Sequence, residues 1–232
     1  MNFKKSSKSL AVLAALSCLS LSAIAGPLDT PGFETFGPLS VATFGGSGIP
    51  NDAVAQTSVS ESGVLLGLTA TQRYANPTVT NDGAGYFFAL AGIDQTNSAS
   101  ISGQYARWNF GFYIDNGTAT GNTYQLFMDV DSSLSEDLRS FGAAPVSGVY
   151  QDSWNLGFDG FESALGYVFN PDDTGEYTIA LTAHDSSGTL IARTAIIVAV
   201  DADPSTVPEP GTLALLGMGL LGLAAARRKK KQ

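Results

Sequence analysis

"DTGEYTIALTAHDSSGTLIARTAIIVAV" runs from residue 173 to 200, and its reading decides the fold. In an extended chain Tyr177, Ile179, Leu181 and Ala183 share one side, and Thr178, Ala180, Thr182 and His184 the other. That period of two marks a half-buried strand. The turn "DSSG" (185–188) follows, and Leu190–Val200 is again dominated by β-branched and small apolar residues. Two such runs joined by a short Asp/Ser/Gly turn make an antiparallel hairpin.

The same signature extends outward. "GVLLGLTATQRY" (63–74), "AGYFFALAG" (84–92), "ASISGQYARWNFGFYID" (99–115) and "NTYQLFMDVD" (122–131) are strand-like. "NDGAG", "DNGTATGN" and "NPDDTG" punctuate them with turn residues. No part of residues 26–202 shows a long helical stripe, and this length can bury a proper core. The expectation is an all-β antiparallel sandwich, immunoglobulin-like or jelly-roll-like, flanked by an N-terminal signal helix and a C-terminal hydrophobic helix. A second small unit over about residues 104–202 is an open option. "WNFGF" (108–112) recurs as "WNLGF" (154–158), which reads as chance similarity between strands rather than a repeat. "DTGEYTI" (173–179) resembles the Asp-x-Gly-x-Tyr lead-in to strand F of immunoglobulin-like sandwiches. The resemblance implies that Tyr177 closes a corner by bonding to nearby backbone.

The two ends carry addresses. Lys4, Lys5 and Lys8 precede an apolar run from Leu10 to about Ala25 that closes on small residues at Ala23 and Ala25. Basic, apolar and small-residue regions in that order form a secretory signal peptide, with cleavage expected after Ala25. The Sec translocon and signal peptidase are the implied partners. The single cysteine, Cys18, lies inside the run, so the mature chain would hold no thiol and no disulfide. At the other end, residues 203–211 read as a proline-containing linker. The fifteen uncharged residues 212–226 follow, and then Arg227, Arg228, Lys229, Lys230 and Lys231. As a helix the run spans about 22 Å at about 1.5 Å per residue, short of the roughly 30 Å bilayer core. The basic cluster holds its end on the cytoplasmic side and leaves the body outside.

"VPEP" (207–210), the Gly/Leu/Ala run and "RRKKK" together resemble the PEP-CTERM sorting signal of exported bacterial proteins. The resemblance implies recognition of Pro208, Glu209 and Pro210 by an exosortase, a membrane enzyme, with this chain as the substrate. It also implies transient residence in the inner membrane, removal of the tail, and a surface or extracellular fate associated with exopolysaccharide and biofilm matrix. "TFGGSGIPNDAV", "RYANPTVTNDGAGYF" and "QDSWNLGF" likewise resemble proteins that share such a tail, without implying an activity.

Between Gly26 and Thr206 four arginines face twenty acids, a formal charge of −16. That charge argues against nucleic acid and anionic membrane as partners. The chemistry of catalysis is sparse. His184 beside Asp185 is the sole histidine, and "FGGSGIP" around Ser47 lacks the spacing of a nucleophile elbow. The reading is a non-enzyme without cofactors. A carbohydrate- or calcium-binding sandwich is the alternative, and a matrix hydrolase a third. Asp129, Asp131 and Asp137 in "DVDSSLSED", with Glu136, are calcium candidates; Asp172, Asp173 and Glu176 form a second acidic group. Trp108 reads as core by its alternation with Tyr105, Phe110 and Phe112. Trp154, between Gly/Asp-rich turns, is the sugar-binding candidate.

Overall fold

The computed structural model describes residues 30–96, 104–133, 137–141 and 144–201. Two sheets carry the fold. The first is ordered β1 (Thr35–Gly37), β2 (Val54–Val59), β3 (Val64–Gln72), β6 (Trp108–Asp115) and β10 (Val149–Trp154), and every neighbour is antiparallel. The second is ordered β4 (Thr80–Asn81), β5 (Tyr86–Ala89), β12 (Leu190–Val200), β11 (Gly175–His184), β7 (Thr123–Asp129) and β8 (Leu138–Ser140), with β9 (Ala144–Pro145) also on β7. This is an all-β sandwich. One short helix, α1 (Asp159–Leu165), follows β10.

The hairpin at 175–200 forms in register, from Gly175 opposite Val200 to Thr182 opposite Arg193, with a slip between Ala183 and His184. Tyr177, Ile179, Leu181 and Ala183 stand beside Ala192, Ile196, Val198 and Val200 on the sheet face that enters the main core. The opposite face is not left to solvent as the alternation suggests. Every residue from Tyr177 to Ala183 is buried, because β11 is an interior strand flanked by β12 and β7. Between the half-buried Glu176 and His184 its other face carries Thr178, Ala180 and Thr182, with Ala180 fully buried and Thr182 donating to the Gln125 carbonyl at 3.5 Å.

Strands from either side of residue 104 pair in both sheets: β3 lies beside β6, and β5 beside β12. A separable unit starting near residue 104 would therefore sever two ladders. The β5–β12 pair is parallel, with Ile197 opposite Tyr86, and departs from the antiparallel expectation. It joins strands a hundred residues apart, where no turn signal operates.

The core between the sheets contains Trp108, Phe110, Phe112, Leu66, Leu68, Ile179, Leu181, Ile196 and Val198. Trp108, Phe110 and Phe112 are core as expected, but Tyr105 is not part of that cluster. The Tyr177 ring packs 5.8 Å from Trp108, and its hydroxyl is hydrogen-bonded to the Ser132 side chain. Burial, reinforced by Asp173, Asp129 and Asp131, pushes that hydroxyl up to about 12. The corner is thus tied to the link after β7. Gly175 permits this approach: a Cβ there would sit 1.9 Å from the Ser132 carbonyl oxygen.

A second, smaller cluster lies on the outer face of the first sheet. Leu39, Ala42 and Phe44 from the 38–53 loop pack with Val54 and Tyr113. Gly111 in β6 makes room for them, since a Cβ there would meet the Phe44 ring at 2.9 Å. Full burial of Phe44 contributes about 2 kcal/mol. Gln151 of β10 pins the loop by accepting the Thr43 and Phe44 N–H groups at 2.7 and 2.8 Å.

Candidate functional site

Beyond Phe44 the loop rises off the sheet and walls an open cleft of about 480 Å³. Three stretches far apart in the chain line it: Phe44–Pro50, Thr71–Tyr74, and Asp152 and Ser153 with Phe158; Asn109 adds a fourth point. Ladder register explains the floor. Thr71 of β3 stands opposite Asn109 of β6, and the Asn109 amide donates to Ser153 of β10 at 3.2 Å. The Asn109 carbonyl in turn accepts from Asn155 at 2.8 Å. Asn155 is fully buried and also bonds the backbone of Ala106, Trp108 and Gly157. The "WNFGF" and "WNLGF" echoes thus meet through their asparagines. The first is strand, whereas the second ends β10 and leads to α1, so they are not one unit repeated.

One wall is an arginine post. Arg73 is buried and its Nε donates to Asp94 at 2.8 Å. Asp94 also accepts from the Asn76 amide at 2.7 Å and from the Thr96 N–H and hydroxyl at 2.9 and 2.6 Å. Burial pushes the Asp94 carboxyl up, but the bonds from Thr96, Asn76 and Arg73 outweigh it and hold it below its ordinary value. The guanidinium stacks between rings, 4.7 Å from Tyr105 and 4.8 Å from Tyr74. Tyr74 caps the post with 61% of its surface exposed. Its φ of 50° is left-handed, as is that of Phe44 at 48°. These are two of the three non-glycine residues with positive φ among the described residues, and both line the cleft.

The sugar candidate, Trp154, takes a different place. It is the last residue of β10 and turns inward, with ring centroids 4.7 Å from Phe112, 4.9 Å from Phe161 and 5.4 Å from Phe141. It borders a mostly apolar recess of about 200 Å³ rather than forming an open platform. Its Gly- and Asp-rich flanks read as turns in the sequence, yet Trp154 ends a strand.

The acidic candidates are engaged locally. Asp129 is buried and accepts the N–H groups of Asp131 and Asp137 at 3.1 and 3.0 Å. Asp131 accepts from the Ser133 N–H, and Asp137 pairs with Arg139 at 2.6 Å. Asp173 accepts from the Asn170 amide at 2.6 Å. Among the described residues no three His, Cys, Asp or Glu side chains gather to hold a metal. Asp185 closes the hairpin turn by accepting from Ser187 and Thr189, chiefly the former, which holds its carboxyl below the ordinary value. His184 sits at the slip in that hairpin.

Ala23, Ala25, Pro208, Glu209, Pro210 and Arg227–Lys231 lie outside the described residues, as do Cys18 and Glu136. Among the described residues no helix is long and apolar enough to cross a membrane.

Fold and tail together define a β-sandwich body carrying a short C-terminal address. Residues 206–229 match the family model described as the PEP-CTERM protein-sorting motif. The chain thus carries the tail of an exported protein sorted by an exosortase, a membrane enzyme. No curated protein matches it. The cleft itself escaped the sequence reading, although "TFGGSGIPNDAV", "RYANPTVTNDGAGYF" and "QDSWNLGF" each supply part of its lining. The usable signal was the glycine cluster at 45–48, which allows the backbone to stand away from the sheet.

Proposed function

We propose that this chain is a non-enzymatic structural or interaction protein of the cell surface or extracellular matrix, associated with exopolysaccharide. It enters the Sec route through its signal peptide, resides briefly in the inner membrane through residues 212–226, and is cleaved near Pro208–Pro210. The sorting motif at 206–229 carries this reading. A body charge of −16 supports it, because such a surface stays soluble and avoids anionic lipid after release.

Intact and peptide mass spectrometry of the exported protein tests it by reading both termini. The expected chain starts at Gly26 and ends near Val207–Gly211, without the basic cluster. A mature C-terminus at Gln232 would make the tail a retained anchor and overturn release into the matrix.

A second reading, the sandwich as a carbohydrate-binding module, is favoured by the cleft.

A further inference from the structure

We propose that the cleft on the outer face of the first sheet binds a neutral polysaccharide, with Tyr74 as the stacking platform. This deepens the reading of the chain as a matrix-associated protein and rests on it for its biological setting.

Shape and chemistry agree on the ligand class. A volume of about 480 Å³ lies inside the range of roughly 300–1,000 Å³ for small-ligand sites. The cleft is open at the surface, so a polymer can cross it without threading an end. Sugar hydroxyls donate and accept at once, and they need a lining that does both. Gln72 and Asn109 offer amides, Ser47 and Ser153 hydroxyls, and Asp152 a pure acceptor. Sugar rings also present an apolar C–H face, and an exposed aromatic plane is its complement. Tyr74 is the exposed aromatic of this cleft, whereas Phe44 is fully buried and Phe158 half-buried.

The Tyr74 backbone is held in position. The Gln72 amide donates to its carbonyl at 3.2 Å, and Asn76 donates to the Arg73 carbonyl just before it from both backbone and side chain. The buried Arg73 backs the ring. A bulky residue at φ 50° costs about 1 kcal/mol or more, and such strain gathers at ligand sites. Preorganisation of this kind lowers the entropy lost on binding.

Charge selects the neutral polymers. Arg73 is the cleft's basic residue, and it is committed to Asp94. Asp152 and the body's charge of −16 disfavour uronate-rich or sulfated chains.

The experiment is native affinity electrophoresis of the purified exported protein. The gels hold laminarin, hydroxyethylcellulose, dextran or neutral glycol chitin, with alginate as the anionic comparison. The wild type is expected to be retarded in at least one neutral gel and not in alginate. Tyr74→Ala is expected to weaken that retardation about tenfold, the loss of one stacking contact worth ~1.4 kcal/mol. Tyr74→Trp, which keeps an aromatic plane, is expected to retain binding. No retardation in the four neutral gels, retardation only in alginate, or wild-type behaviour of Tyr74→Ala would each overturn the proposal. Loss of binding in both Tyr74 variants would overturn the stacking role. None of these outcomes bears on the mature termini, so sorting and sugar binding fail or stand separately.

Discussion

The β11–β12 hairpin and the cleft on the other sheet are built by opposite means. The hairpin is local: strands ten and eleven residues long, joined by a turn, with a ladder running from Gly175–Val200 to His184–Leu190. The cleft is non-local. Residues 44, 73, 109 and 152 meet only because β3, β6 and β10 stand side by side and a loop folds back over them. Alternation specifies the first kind of structure because each residue's neighbours are set by its own strand. It is silent on the second, where function gathers on a scaffold that other residues make rigid.

The largest effect expected from that contrast concerns the wall of the cleft. Asp94→Ala strips a buried arginine of its counter-charge and leaves Asn76 and Thr96 without their acceptor. Breaking such a pair costs about 3–5 kcal/mol, which thermal or urea unfolding would register. The carboxyl titrates below its ordinary value when folded. Its contribution is therefore present above the unfolded-state value near 3.8 and is lost as pH falls through the lower folded value. The variant's penalty should shrink in acid below about pH 4. A penalty independent of pH there would mean that the carboxylate's charge is not what supports Arg73.

A middle-sized effect tests the join between sheet and loop. Gly111→Ala places a methyl 2.9 Å from the Phe44 ring. The ring must shift, at a cost of about 1–3 kcal/mol. Because Phe44 leads directly into the cleft wall, proteolysis between Gly45 and Ile49 should quicken in this variant. If stability falls while the loop stays resistant, the 38–53 segment is held by Gln151, by Leu39 and Ala42 and by its own hydrogen bonds rather than by the Phe44 ring.

Much of the body was legible. The runs read as strand-like at 63–74, 84–92, 99–115, 122–131 and 175–200 follow from period two and from glycine, asparagine and aspartate turns, and each holds a strand, that of 99–115 only from Trp108 on; Trp108 was placed in the core by alternation. Residues whose surroundings are distant in sequence were not. Trp154 looked like a loop platform because its flanks hold Gly and Asp, yet β6 draws it inward against Phe110 and Phe112. Tyr74 looked like the end of a strand; its left-handed turn depends on Asn76 and Asp94, which are unremarkable in a linear reading. The acids of "DVDSSLSED" suggested a cation, but oxygen-rich loops also use carboxylates to bind their own backbone, as Asp129 does.

The smallest effect belongs to the hairpin. Tyr177 stands where an immunoglobulin-like corner tyrosine would, but its hydroxyl reaches Ser132 across the sheet link. Tyr177→Phe removes one hydrogen bond, worth about 1 kcal/mol, and leaves the ring against Trp108 and Phe169. The hydroxyl's folded value, about 12, lies above the ordinary 10. The neutral form is thus the one that folding favours. Its stabilisation is complete below pH 10 and declines as pH rises from 10 towards 12. The other buried tyrosines titrate in both proteins, so wild type minus Tyr177→Phe isolates this one. The difference should be flat at neutral pH and fall by up to about 1.4 kcal/mol per pH unit above pH 10. A flat difference throughout would mean that the hydroxyl meets water, and that the corner is held by the Gly175–Ser132 backbone contact and the ring alone.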